Sequence, residues 1–245
     1  FLARTLTSIE SSDDYFKEET DQLHISSKLK NFVNWHDNFF AGIRVFSDKS
    51  SIGYVSYFEK NGIKLRISGL NTASFCLDES DQGKLWLGRR CIKSIQTKIS
   101  VPETFSVTLM HHPFDWLHEE ERIITTNLVR ECSDFVLRGH LHETDVENVA
   151  GINASALHLA AGATYQTERW PNRALFGTLN STELRVTAIK YEKSPKAIWT
   201  IDTSVYPRDR DFTRTYPHAR AVCSAPPPIQ EQTAVSSAAT GPSAA

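Results

Sequence analysis

Two kinds of hydrophobic spacing alternate along the middle of the chain. Apolar runs of strand length stand at 64–70, 105–110 and 134–138, each bounded by Gly, Pro or polar residues. Between the last two, residues 118–132 repeat their apolar positions at helical spacing, with Ile124, Leu128 and Val129 on one side. Strand, helix, strand predicts a right-handed crossover whose two strands lie parallel in one sheet. A further helix is predicted over 84–99, with Leu85, Ile92, Ile95 and Ile99 inward. Upstream, 44–46 and 53–58 read as strands, and Lys60-Asn61-Gly62 offers a tight hairpin turn into the run at 64–70. Downstream, 157–161, 173–179, 184–191 and 197–201 alternate like strands, with Asn180-Ser181-Thr182 as a hairpin loop. The succession predicts an α/β fold.

Residues 1–60 lack this rhythm. Leu29, Phe32, Val33, Phe39 and Phe40 give them enough apolar weight to fold. The acidic run of Asp13, Asp14, Glu18, Glu19 and Asp21 reads as a solvated helix face. The region is expected to cap the functional edge of the sheet or to pack beside it. From Val222 onward Ala, Pro, Ser and Thr dominate, and such a composition buries too little apolar surface to fold. The chain divides into a cap-like region at 1–60, an α/β unit at 61–205, and a linker with a disordered tail at 206–245. The tail leaves room for a further domain beyond it.

The crossover brings two histidine clusters together. His111-His112-Pro113 follows the strand at 105–110, and Gly139-His140-Leu141-His142 follows the strand at 134–138. Both therefore emerge at the C-terminal edge of the sheet, where open α/β sheets place their ligands. Neutral imidazoles suit zinc, manganese, iron and related ions. His140 and His142, one residue apart on an extended segment, project to the same side. Asn71 ends a strand near that edge and either lines the pocket or caps a turn. Asp115 either hydrogen-bonds a ligand histidine or caps the following helix. His158, in an apolar strand, reads as a core residue. Arg138 and Arg173 read as salt-bridging residues, and Trp116 and Trp170 as packing.

These motifs resemble the C-terminal half of the calcineurin-like metallophosphoesterase superfamily, which carries His-His-Pro after one core strand and Gly-His-x-His after the next. Gly69-Leu70-Asn71-Thr72-Ala73, the stretch Gly83 to Gly88, Ala161-Gly162-Ala163 and Trp170-Pro171-Asn172-Arg173 resemble the flanking stretches of bacterial members. The resemblance implies an αββα sandwich, incomplete here, and a metal-dependent hydrolase of phosphoric esters. It implies two divalent ions (Mn, Fe or Zn) that hold a bridging hydroxide, which attacks phosphorus in line. It makes His111 and His140 ligands of the second ion and His142 a ligand of the first. His112 is then a neighbour and not a primary ligand. The superfamily's Asp-x-His, Gly-Asp and Gly-Asn-His motifs are absent from this sequence, and Trp35-His36-Asp37-Asn38 is the nearest wording to the last. The chain is accordingly expected to be a C-terminal portion that holds part of a two-metal site and is inactive alone. The alternative is a non-catalytic binding or regulatory module that retains the fold.

Composition narrows the partners. Lys and Arg number 27 against 29 Asp and Glu, so no basic surface built for nucleic acid is evident. A phosphate-ester substrate is expected, with monoester, cyclic nucleotide, nucleic acid and phospholipid left open. No apolar run is long enough to span a bilayer. Cys76, Cys91, Cys132 and Cys223 show no paired spacing and read as reduced thiols, which fits a cytoplasmic protein.

Overall fold

Asn61 and Gly62 both take positive φ, 53° and 79°. Two such residues make the type I′ turn, whose twist matches a pair of antiparallel strands. They join β1 (Gly53–Lys60) to β2 (Ile63–Leu70), paired from Gly53 with Leu70 to Lys60 with Ile63. The computed structural model describes residues 6–42, 53–78, 80–96, 104–141, 144–150, 155–164 and 172–217. The strand expected at 44–46 lies outside the described residues.

β3 (Thr104–Met110) and β4 (Phe135–Arg138) lie parallel to β2 and to each other, as the crossover predicts. β5 (Asp145–Ala150), which the pattern did not signal, forms the far edge antiparallel to β6 (Ser155–Ala160). The sheet order is β1-β2-β3-β4-β6-β5.

The crossover helix α5 (Glu119–Cys132) matches its expected span, but its buried face is rotated. Glu121, Thr125, Val129 and Cys132 face inward, while Ile124 is 37% exposed. Glu121 accounts for the rotation: its carboxylate accepts the Leu87 N–H at 2.7 Å and holds that position inside. Of the helix expected over 84–99, the described residues form α4 (Arg89–Ile95), and positions 97–99 lie outside the described residues. Gly88, at φ 78°, stops it on the N-terminal side. Leu85 to Leu87 are buried in an extended segment instead, where Leu85 N–H donates to Trp116 O and Leu85 O accepts from His118 N–H. Arg66, buried on β2, donates to Ile95 O and so caps the end of α4.

The sheet has a core on each side. On one, Leu70, Met110, Val136 and Ala156 pack with Leu85, Ile92, Leu117 and Val129 of the helix layer. On the other, Phe105, Val107, Phe135, Leu157 and Leu159 meet Leu184, Val186 and Tyr206 of a second, antiparallel sheet. That sheet comprises β7 (Arg173–Leu179), β8 (Glu183–Glu192), β9 (Ile198–Ile201) and β10 (Thr213–Pro217). β7 takes one edge of β8, and β9 and β10 share the other. Residues 206–217, which the pattern assigns to a linker, thus supply a strand and the buried Tyr206. The architecture is α/β, with helices, a mixed sheet and an antiparallel sheet stacked in that order.

Among the described residues three helices precede the sheets: α1 (Ile9–Tyr15), α2 (Glu19–Lys28) and α3 (Lys30–Phe39). Leu6, Ile9, Tyr15 and Phe16 pack on Phe75 and Trp86. Ile9 N–H donates to Glu120 Oε2 at 2.8 Å, and Arg89 pairs with Asp13 at 2.8 Å. Asp13 is therefore buried, not on a solvated face. Lys28 reaches the carbonyls of Ala73 and Cys76, so this region packs beside the loop that follows β2. β1 belongs to the main sheet, which puts position 60 inside a hairpin. Cys76 and Cys132 are free thiols. Among the described residues no helix is long and apolar enough to cross a membrane.

Candidate metal centre

Met110 and Arg138 are register partners at the ends of β3 and β4. The residues that follow them leave the sheet side by side, and Gly139 N–H donates to His111 O at 3.2 Å. His140 then takes φ 73°, a left-handed conformation that costs a non-glycine residue roughly 1 kcal/mol or more. In that conformation its Nδ1 lies 3.2 Å from His111 Nε2. The His112 ring lies 4.9 Å from that of His111 and 4.5 Å from that of His140. One ligand nitrogen from each of His111, His112 and His140 falls within 4.8 Å of the others. His112 is buried, His140 half-buried and His111 exposed, so the group opens to solvent on one side.

Burial, reinforced by the His140 and His111 rings, holds the His112 imidazole down to about 4. His112 is therefore neutral at neutral pH, as a metal ligand must be. Trp116 forms the wall behind the group. Its ring stacks on His112 at 5.3 Å and meets His140 edge-on at 4.0 Å. Thr72, on the loop after β2, contacts His112 twice. His112 N–H donates to Thr72 Oγ1 at 3.1 Å, and His112 Nδ1 lies 2.9 Å from the same oxygen.

The structure brings together His111 and His140 as expected and moves His112 from neighbour to member of the group. His142 lies outside the described residues. Asp115 fills neither expected role: it is exposed and accepts a hydrogen bond from Gln82 at 3.2 Å, while His118 caps α5. Asn71 caps a turn, its Oδ1 accepting from Ala73 N–H at 3.2 Å. His158 is buried against Phe114, and burial with Arg138 and Arg130 nearby holds its imidazole down to about 4. Arg138 pairs with Asp145 and Arg173 with Asp202. His36 is buried on α3 beside Phe32 and Phe40. The contact of Thr72 with His112 carries no signal in the sequence, because it spans 40 positions.

The chemistry of the group suits one ion. Among the described residues it consists of three imidazoles, with no carboxylate or thiolate joining it. Such ligands select zinc and neighbouring transition ions over magnesium or calcium. Two imidazole nitrogens on one tetrahedral zinc stand about 3.3 Å apart, close to the 3.2 Å between His111 and His140.

The chain matches no protein-family model and no curated protein. Among solved structures it is similar to Vps29 from Chaetomium thermophilum, at 6% identity and a TM-score of 0.29, over 67% of this chain and 60% of that one. It is similar to a singly substituted Vps29 from Entamoeba histolytica, at 13% identity and a TM-score of 0.26, over 60% of each chain. A third, Chaetomium thermophilum Vps29 complexed with a cyclic peptide, gives 9% identity and a TM-score of 0.26 over 63% of this chain and 95% of that one. Likenesses this faint carry no argument about function.

Proposed function

We propose that this chain is a metal-binding module whose α/β scaffold holds one divalent transition ion at the C-terminal edge of its main sheet. His111, His112 and His140 are the ligands, and the open side of the group leaves a position for a partner's donor atom or for water. The observation that carries this reading is the convergence of the three ligand nitrogens within 4.8 Å of one another. The left-handed backbone at His140 supports it, since strain of that kind persists where a site requires it. Hydrolysis of phosphoric esters is the second reading, and the His-His-Pro and Gly-His-x-His wording favours it. It asks for two ions, and a bridged pair is ordinarily held together by a carboxylate. The described residues bring none to the group.

Titration of the full chain with zinc against a chromophoric chelator tests the proposal. One equivalent bound is expected, with His111→Ala and His140→Ala each weakening binding at least tenfold. An aryl phosphate ester is expected to hydrolyse no faster with the loaded protein than with free metal. No binding above that of the doubly substituted protein overturns the metal site. Two equivalents bound, with turnover, overturns the module in favour of the enzyme.

A further inference from the structure

Thr72 is buried, and among the described residues its hydroxyl has two contacts, both with His112. The backbone N–H of His112 occupies one lone pair of Oγ1. The ring nitrogen Nδ1 meets the same oxygen at 2.9 Å, which leaves Nε2 for the metal group. A hydroxyl both donates and accepts, so this contact works in either of two arrangements. With no ion present, Thr72 O–H donates to Nδ1 and the ring proton rests on Nε2. That arrangement leaves no buried hydroxyl proton unpaired. A metal ion needs the Nε2 lone pair, so the ring proton must then sit on Nδ1. The hydroxyl turns and accepts it, and its own proton then has no acceptor among the described residues, a cost that ion binding offsets. No net proton is released, because the ring stays neutral and the proton changes nitrogen.

We propose that Thr72 is the positioning residue of the metal centre, a reversible hydroxyl rotor that serves His112 in both its ion-free and its metal-bound tautomer. This rests on the reading of the histidine group as a metal site. A residue of the same shape without the hydroxyl serves neither state. It leaves Nδ1–H buried and unpaired as soon as Nε2 binds the ion, and loss of such an outer hydrogen bond lowers metal affinity by 10- to 100-fold.

The test compares Thr72→Val, Thr72→Ala and Thr72→Ser in the full chain. Val keeps the shape and loses the hydroxyl, Ala loses both, and Ser keeps the hydroxyl alone. Zinc affinity from chelator competition is expected to fall 10- to 100-fold in Val and Ala and to stay within about threefold of the parent in Ser. Long-range proton–nitrogen correlation NMR of the parent is expected to show the His112 ring proton on Nε2 without zinc and on Nδ1 with it. Affinity that follows side-chain volume, or does not change, overturns the proposal. So does a ring proton that stays on one nitrogen. If Val fails to fold, the comparison of Ala with Ser still decides. A parent chain that binds no zinc overturns the metal site itself, whereas a parent that binds while Ala matches Ser overturns Thr72 alone.

Discussion

Glu121 has none of its surface exposed, and burial pushes its carboxyl up to about 7 against the hydrogen bond from Leu87 N–H. In the unfolded chain it titrates near 4.5. The folded state therefore holds the proton more tightly. Stability from this group is full below pH 4.5, declines as pH rises to about 7, and is flat above. Glu121→Gln keeps an acceptor for Leu87 and cannot ionise. At pH 8 it is expected to exceed the parent by roughly 1–2 kcal/mol, once its unpaired amide N–H is set against the relieved charge. At pH 4.5, where the folded parent keeps its carboxyl proton, the order should reverse by roughly 1–2 kcal/mol in denaturant melts, and a gap that stays constant between the two pH values contradicts the assignment. His140 gives a second test. Asn tolerates the left-handed region better than His but supplies no imidazole. His140→Asn is expected to lose zinc binding while the metal-free protein melts within a few degrees of the parent; a metal-free protein that fails to fold would make the ring structural. At this scale the sequence brought His111 and His140 together but left His112 out of the group. His111 and His140 follow strand ends that a crossover must align, whereas the burial of His112 depends on Trp116 and on Thr72 from a different loop.

Among elements, α4 shows where helical spacing misleads. Leu85, Ile92 and Ile95 are apolar at positions a helix would bury, and all three are buried, yet Leu85 is extended. Gly88 decides the matter. A Cβ there would lie 2.4 Å from the Phe16 ring, on a backbone at φ 78°. Gly62 has a similar φ of 79° but open space around it. Gly62→Ala is expected to cost about 1 kcal/mol, the left-handed penalty alone. Gly88→Ala is expected to cost clearly more, on the order of 3 kcal/mol, because α1 must also shift. Equal costs in chemical denaturation would mean that Phe16 does not press on Gly88 in solution. The crossover itself was legible because strand and helix periods differ so plainly between 105 and 138. β10 was not, since Thr213–Pro217 reads TRTYP and has no apolar run; its pairing with β8 makes it a strand. β5 escaped for the same reason, with Asp145, Glu147 and Asn148 among its six residues.

Among the described residues the main sheet separates two of three buried clusters, and those two should fail differently. Phe105 belongs to the core between the sheets, on the face away from the helix layer and Met110. Phe105→Ala is expected to lower stability by roughly 3–5 kcal/mol. Zinc affinity of the folded fraction should stay unchanged, because His111, His112 and His140 pack with Trp116 of the other core. Weaker zinc binding by that folded fraction would show that the second sheet supports the site.

The hydrogen bond from Ile9 to Glu120 joins positions 111 apart, and the Asp13–Arg89 pair spans 76. A ribosome adding roughly 5–20 residues per second takes about 6–22 s to cover the longer distance. For that interval α1 has emerged without Glu120, and for the first part of it Tyr15 and Phe16 have no Trp86 to pack against. α1 is thus made well before the surface on which it is seated.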